Sequence, residues 1–486
     1  MEKLYGRIKE LDLLNKRFDS DNFEFGYLYG QRRIGKSSLL SMFTANKKSI
    51  IFYASDSADI DIRQSFSNTL NEALGYSNSI YTDWYSFFEA LDKFCGNEKV
   101  VICIDEFPNI IIGRDGKRKK TDFDSCLQKA IDLLFKKRKF TLILTGSNVS
   151  FLSKELIDSK APLYQRNTFA LKLEKLEFNE ALEGVKGIKD KFEKAKTLCL
   201  TNTFPYYISL INESNTFDEN LDNLFFNQDA VFTEAPSKII TSDKATGGLY
   251  ATLIKYIALG YVDIKSLSDV LDIESAKISK YLKELLDDRV LIKRNSFQST
   301  KKTSYEILDP MLGFYYRFIR DNYNNIHSGF GRLIKEKYKN AISEFIDKGF
   351  EKLCLTYLEY LSKNMRLNGF FIEFENFCFQ SKLLGRTVEI DVISKDENKI
   401  LIAETKFSKN KRTLKDYKNM LEDLEAEIFK PFKEFELYLF GANGFSDDLK
   451  KVNDNRLHLI SLDDMFNEKM WWIRYVYSKM KLIKTI

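Results

Sequence analysis

Apolar residues change their rhythm several times along this chain, and each change marks a new module. Between residues 25 and 146 four short apolar runs recur: FGYLYG (25–30), SIIFYAS (49–55), KVVICID (99–105) and FTLILTG (140–146). Unbroken runs of this length are the pattern of parallel strands buried on both faces. Amphipathic stretches separate them, which predicts βαβ units. From residue 177 helical periods take over, as in FNEALEGVKGIKDKFEKAKTLCL, and predict a small helical lid.

Residues 249–308 read differently again. LYATLIKYIALG, IKSLSDVLDI and ESAKISKYLKELLDDRV predict three short helices, followed by the strands LIKRNSF and TSYEIL around a polar QSTKK turn. Helix, helix-turn-helix and hairpin in that order is a winged-helix arrangement. In the third helix Ile278, Leu282 and Leu285 form the core stripe. Ser275, Lys277, Ser279, Lys280 and Lys283 face outward, and Lys301 and Lys302 lie in the wing. These cations suit DNA phosphates; Glu274, Glu284, Asp287 and Asp288 dilute them, so a role in intramolecular or protein contacts stands equally. The helical stretch PMLGFYYRFIRDNYNN then leads to a second α/β region, with the helix AISEFIDKGFEKLCLTYLEYL and the strand-like FFIEFENFCF, VEIDVIS, KILIAETKF and FELYLFG. The expected domains are residues 1–176, 177–240, 245–310, 311–340 and 341–486.

Length agrees with this subdivision, since 486 residues exceed what one core usually organises. A formal charge of +5 permits local nucleic-acid contact without demanding it. The basic loop GRDGKRKKTDF (113–123) reads as a solvated surface loop or a phosphate contact. No signal-peptide pattern opens the chain and no run of about 18 uncharged apolar residues occurs, so a cytoplasmic protein without a membrane span is expected. Six scattered cysteines without a CxxC pair, and only two histidines, speak against zinc or a disulfide framework.

The chemistry begins at GQRRIGKS, residues 30–37, which fits G-x-x-x-x-G-K-S/T between a strand and the helix SLLSMF. Gly30, Gln31, Arg32, Arg33, Ile34, Gly35, Lys36, Ser37 and Ser38 are the expected nucleotide-binding residues. Loop amides would surround the β-phosphate, Lys36 would neutralise the β- and γ-phosphates, and Ser37 would ligate Mg²⁺. VVICIDEF supplies the partner: Asp105 would hold Mg²⁺ through water, and Glu106 would orient or activate the attacking water. Asn148, after the strand LILTGS, is a candidate for the γ-phosphate, with Ser147 as its rival.

A second constellation lies in TVEIDVISKDENKILIAETKF (387–407). Residues two apart on a strand share a face, so Glu404 and Lys406 project together, and a short hairpin brings Asp391 beside them. Two carboxylates can chelate Mg²⁺ and the lysine can position its activated water. Glu351, or Glu344 seven residues earlier on the same helix, would complete the shell. The plain alternative is a pair of solvated carboxylates at a hairpin mouth.

YGRIKELDLL, YGQRRIGKSSLL, CIDEF, LTGSNVSFL and PLYQRNTFALKLEKLEF resemble the archaeal-type AAA+ ATPases. The resemblance implies an α/β AAA+ P-loop NTPase with a helical lid, and makes Arg166 the arginine finger or sensor, acting across a homo-oligomer interface. Asp391…Glu404-x-Lys406 behind Glu351 resembles the PD-(D/E)xK nucleases. From YEILDPMLGFYYRFIR onward the chain is similar to the nuclease-like, restriction-endonuclease-like tail of these same AAA+ proteins. Two departures stand out: Ile390 precedes Asp391 where proline is usual, and no glycine precedes Pro205 in the lid. The combined expectation is an ATP- and Mg²⁺-dependent ATPase that binds nucleic acid, DNA before RNA, and carries a Mg²⁺-dependent nuclease domain; the alternative is a nucleotide-controlled regulator or switch whose catalytically inactive nuclease-like tail binds DNA or protein.

Overall fold

A computed structural model describes residues 5–76, 80–113, 117–232, 248–296 and 299–467. By compactness the chain divides into Met1–Leu176 with Asp287–Arg289, and Glu177–Leu286 with Val290–Ile486. The side chains of Lys301 and Lys302, and loop positions 114–116, lie outside the described residues. So do residues 233–247 and 468–486, parts of the expected lid and tail.

The first unit runs α1 (Ile8–Asp19), β1 (Glu24–Gly30), α2 (Lys36–Thr44), β2 (Ser49–Tyr53), α3 (Asp59–Leu74), α4 (Trp84–Cys95), β3 (Val101–Asp105), α5 (Phe123–Leu133), β4 (Thr141–Gly146), α6 (Val149–Ile157) and β5 (Phe169–Leu173). Its strands form one parallel sheet in the order β2-β3-β4-β1-β5. All seven residues of β1 are buried, as its unbroken apolar sequence requires. One core cluster built around Phe52, Phe66, Trp84, Phe87, Phe88 and Phe123 packs α3, α4 and α5 on the sheet. Because the strands are parallel, β1, β3 and β4 all deliver their carboxyl ends to one edge, where ligands of such sheets bind.

The basic loop is more tightly held than a solvated loop. Lys119 donates to the Ser57 and Asn109 carbonyls, each at 2.8 Å, and pairs with Asp56 at 3.3 Å. Arg118 pairs with buried Asp124. Two of the loop's cations are thereby committed to the fold.

The second unit continues with α7 (Lys191–Thr201), α8 (Gly248–Ala258), α9 (Ile264–Leu271), α10 (Ser275–Asp287) and the antiparallel pair β6 (Leu291–Ser296) and β7 (Ser299–Ile307). Ile278, Leu282 and Leu285 are buried on α10, while Lys277, Ser279, Lys280 and Lys283 are exposed. The 25-residue α11 (Lys339–Lys363) follows, then β8 (Glu375–Ser381), β9 (Arg386–Asp396), β10 (Lys399–Lys406), α12 (Leu414–Asp423), β11 (Glu434–Gly441) and β12 (Leu457–Ser461). These five strands form a mixed sheet, β12-β11-β10-β9-β8, antiparallel from β8 to β10 and parallel from β10 to β12. Helix α11 packs on β9 and β10.

Three expectations change. FFIEFENFCF does not begin a strand at 370: β8 pairs only from Glu375, and Phe370 and Ile372 are 80% and 82% exposed. The strand in TSYEIL starts earlier, at Ser299, which pairs with Ser296 beyond a register shift at Asn295/Ser296. The edge strands β5 and β12, absent from the apolar-run reading, flank their sheets with only half their residues buried or fewer. Among the described residues no helix is long and apolar enough to cross a membrane.

Candidate functional site

At the end of β1 the chain turns sharply into α2. A Cβ on Gly30 would stand 2.5 Å from the Leu173 carbonyl oxygen, so only glycine fits between β1 and β5. Gly35, the residue before α2, has φ +87°, a conformation that favours glycine. Lys36 folds back over this loop and donates to the Gly30 and Gln31 carbonyls, both at 2.9 Å. Lys36 is 7% exposed, and burial pulls its pKa down to about 8 against the opposing pull of Glu106 and Asp105. The loop therefore holds the Lys36 charge out of water, with Arg32 exposed beside it, an arrangement that favours a polyanion.

Beyond β3, Asp105 accepts from the Thr145 hydroxyl of β4 and from the Glu106 amide at 3.1 Å. Glu106 sits at φ +53°, which turns its carboxylate toward Ser147; that residue donates its amide at 3.1 Å and its hydroxyl at 3.0 Å. Non-glycine residues held at positive φ are uncommon and collect at functional sites. Of the two rivals after β4, Ser147 thus holds Glu106. Asn148 is exposed and caps α6, accepting from the Phe151 amide at 3.0 Å. Arg166 is bound within its own subunit, donating to Asp132 at 2.8 and 3.1 Å and to the Pro162 and Tyr164 carbonyls.

One loop-bracing residue escaped the sequence reading. Arg7 is 2% exposed at φ +65° and donates to the Ile34 carbonyl at 2.9 Å and to the Glu174 carbonyl. It also pairs with Glu10 at 2.9 Å. The signal was local: Gly6-Arg7 immediately before an amphipathic helix with an acidic residue three positions on.

In the second unit the structure brings Asp391, Glu404 and Glu351 into one electrostatic neighbourhood. Ala403 pairs with Val392, so the antiparallel register sets Glu404 opposite Asp391. A β-bulge falls at this point: Ile393 pairs with Glu375 and Ile390 with Phe377, leaving two β9 residues, Asp391 and Val392, against Asn376 alone. Bulges re-aim side chains, and here Asn376 fixes the extra backbone by donating to the Asp391 carbonyl at 2.6 Å. Asp391 accepts from the Thr405 amide at 2.7 Å and hydroxyl at 2.9 Å. One Glu404 oxygen is buried without a hydrogen-bond partner.

Burial first, and then the Asp391 charge, push Glu404 up to about 8 and Glu351 up to about 7; burial also raises Asp391. Buried Arg412 opposes the shifts of Asp391 and Glu404, and Lys348 opposes that of Glu351. Glu344, the other helix candidate, forms an ion pair with Arg317 at 3.3 Å. Lys406 is half exposed, 3.8 Å from Asp416. Among the described residues no group of three or more His, Cys, Asp or Glu side chains is arranged to hold a metal ion, so Glu351 is coupled to Asp391 by charge without joining it in a preformed shell. The orphaned Glu404 oxygen and the raised carboxylates nevertheless fit a hard cation, which would relieve the repulsion between them.

A P-loop after β1 and an acidic pair after β3, on a parallel sheet of this order, define a P-loop ATPase fold. Residues 4–209 match a family described as an ATPase domain predominantly from Archaea. Residues 315–418 match a family described as archaeal and bacterial proteins of unknown function. An uncharacterized protein of Methanocaldococcus jannaschii, MJECL04, is 26% identical over 427 residues, covering 86% of this chain and 90% of the relative. Among solved structures, the Walker-type ATPase of Pyrococcus abyssi matches at TM-score 0.48 and 16% identity, over 64% of this chain and 96% of its own. The Aeropyrum pernix ORC2 protein, in ADPNP and ADP complexes, matches at TM-score 0.42 and 12% identity, over 69% and 96%.

Two outcomes follow from the charges. A triphosphate favours charged Lys36, so above pH 8 binding must take up a proton; calorimetric affinity should fall by about tenfold per pH unit from pH ~8 toward ~10. Glu404 carries a raised pKa, so the folded chain binds more protons than the unfolded one and loses stability as pH rises from the ordinary glutamate range through about 8. In metal-free buffer at pH 8.5, Glu404→Gln should raise the melting temperature by about 3 °C, the order expected of ~1 kcal/mol, with the gain vanishing near pH 4.

Proposed function

We propose that this protein binds and hydrolyses ATP with Mg²⁺ and couples that cycle to nucleic acid through its winged helix and tail. The observation that carries the reading is buried Lys36, folded over the glycine loop while Ser147 holds Glu106 beside the Asp105–Thr145 pair. Bound Mg²⁺ would supply charge neutralisation at the β- and γ-phosphates, held by Ser37 and, through water, by Asp105. Glu106 accepts the proton of an attacking water, and Ser147 keeps its carboxylate aimed. Asn148 is the further candidate at the γ-phosphate. Arg166 would complete a neighbouring subunit's site by exchanging Asp132 for the developing phosphate charge. Lys36→Ala should abolish nucleotide binding, and Glu106→Gln should retain binding while lowering turnover at least about 100-fold. Arg166→Ala should remove any rise of specific activity with protein concentration. ATP turnover unchanged by Lys36→Ala sinks the assignment.

For the tail we favour a Mg²⁺-dependent nuclease acting on DNA, with Asp391 and Glu404 as ligands, Glu351 as outer support and Lys406 positioning the water. The exposed lysines of α10 provide the phosphate contacts. A regulator whose tail only binds is the second reading. It draws on Asp391 being already engaged by Thr405 and on Lys406 standing near Asp416. Plasmid nicking in Mg²⁺ should be lost in Glu404→Ala/Lys406→Ala; equal nicking by both proteins removes the nuclease and leaves the second reading.

A further inference from the structure

The lid segment and the tail belong to one compact unit, and their contact has a specific form. Helices α7 and α11 touch backbone to side chain: a Cβ on Gly349 would lie 2.8 Å from both the Cβ and the carbonyl oxygen of Cys199. One residue on, buried Phe350 meets Phe407 with ring centroids 5.1 Å apart. Phe407 in turn meets Phe192 of α7 at 5.8 Å. The placement matters because Phe350 immediately precedes Glu351 and Phe407 immediately follows Lys406. A chain of three rings therefore runs from the lid helix to the residues flanking the tail's carboxylate site on both of its supporting elements. Away from the rings, Lys191 of α7 pairs with Asp463 at 2.6 Å, and Phe178, in the separate short helix Phe178–Glu183, packs on Tyr357 at 4.9 Å, so the lid segment is docked at more than one point.

We infer that Phe192 is a positioning residue for the tail's metal site, holding the end of β10 and the Glu351 turn of α11 in register through Phe407 and Phe350. This rests on the tail reading above, in which Asp391 and Glu404 take a divalent cation. Aromatic pairs at these separations prefer defined tilts, so they fix direction as well as distance. Strand β10 ends at Lys406, and Phe407 is the first residue past the ladder. The ring contact thus governs how the chain leaves the sheet beside Glu404. The lid, by sequence position part of the ATPase half, becomes a wall of the second site.

The test is calorimetric titration of the full chain with Mn²⁺, a hard cation that takes oxygen ligands. The tail's share is the part of the signal lost in Asp391→Ala/Glu404→Ala. Phe192→Ala should weaken that binding by about tenfold, the scale seen when the support behind metal ligands is removed. Phe192→Leu, which keeps most of the apolar volume, should remain within about threefold. Lys191→Ala, which removes an exposed ion pair from the same helix, should leave the affinity unchanged. Equal affinity in Phe192→Ala and the unsubstituted chain overturns the inference, as does an equal loss in Lys191→Ala, which would mean general docking. If Phe192→Ala does not fold, Phe192→Val carries the same comparison. Absence of any carboxylate-dependent Mn²⁺ signal in the unsubstituted chain overturns the tail reading and this inference together, a result distinguishable from the others.

Discussion

Charge withheld from water is the constraint on which both candidate sites depend. At the glycine loop the desolvated group is a cation, Lys36, with burial pulling its pKa down. In the tail they are carboxyl groups, Asp391, Glu404 and Glu351, with burial raising the pKa of all three. A group in low dielectric interacts strongly with whatever charge approaches it, because little solvent intervenes. Each site is thus tuned to a ligand of opposite sign, and each sits where the sheet forces it: the loop at the carboxyl end of β1, the carboxylates across the β9–β10 register.

Supporting groups separate these sites from accidental clusters. Arg7 reaches from the start of the chain to the Ile34 carbonyl, and Thr145 and Ser147 hold the two acids after β3. In the tail, Asn376 pins the bulge and Thr405 grips Asp391. None of these residues is remarkable in isolation. Their value is geometric, since a carboxylate that must orient water or metal acts only from a narrow range of positions.

Most of the architecture was readable from the apolar rhythm, and the exceptions share a cause. Central strands such as β1 and β4 are buried throughout and announce themselves as unbroken runs. The edge strands β5 and β12 are partly solvated, so FALKL and LHLIS lack that signature. FFIEF misled in the opposite direction, because Phe370 and Ile372 stay exposed while Phe371 and Phe374 are buried outside any strand, and all carry the same letters as a strand. At the sites, motif spacing gave the glycine loop, the acidic pair and Asp391 with Glu404. It was silent on Arg7, whose partner Ile34 lies 27 positions away, and on the bulge at Asp391, which depends on how β8 pairs. Asn148 was read as the γ-phosphate candidate with Ser147 as rival, and the letters carried no sign that Ser147 would hold Glu106, a contact that follows from the φ +53° turn at Glu106.

The seam between Leu176 and Glu177 has a bearing on how such chains can be recombined. A splice placed where the ATPase family match ends, at residue 209, would sever Phe192 and Cys199 from Phe407 and Gly349 and leave raw apolar surface on both fragments. A splice at 176 carries the lid along with its tail. Chimeras that exchange tails between relatives should therefore be cut at the Leu176–Glu177 seam, within the ATPase family match.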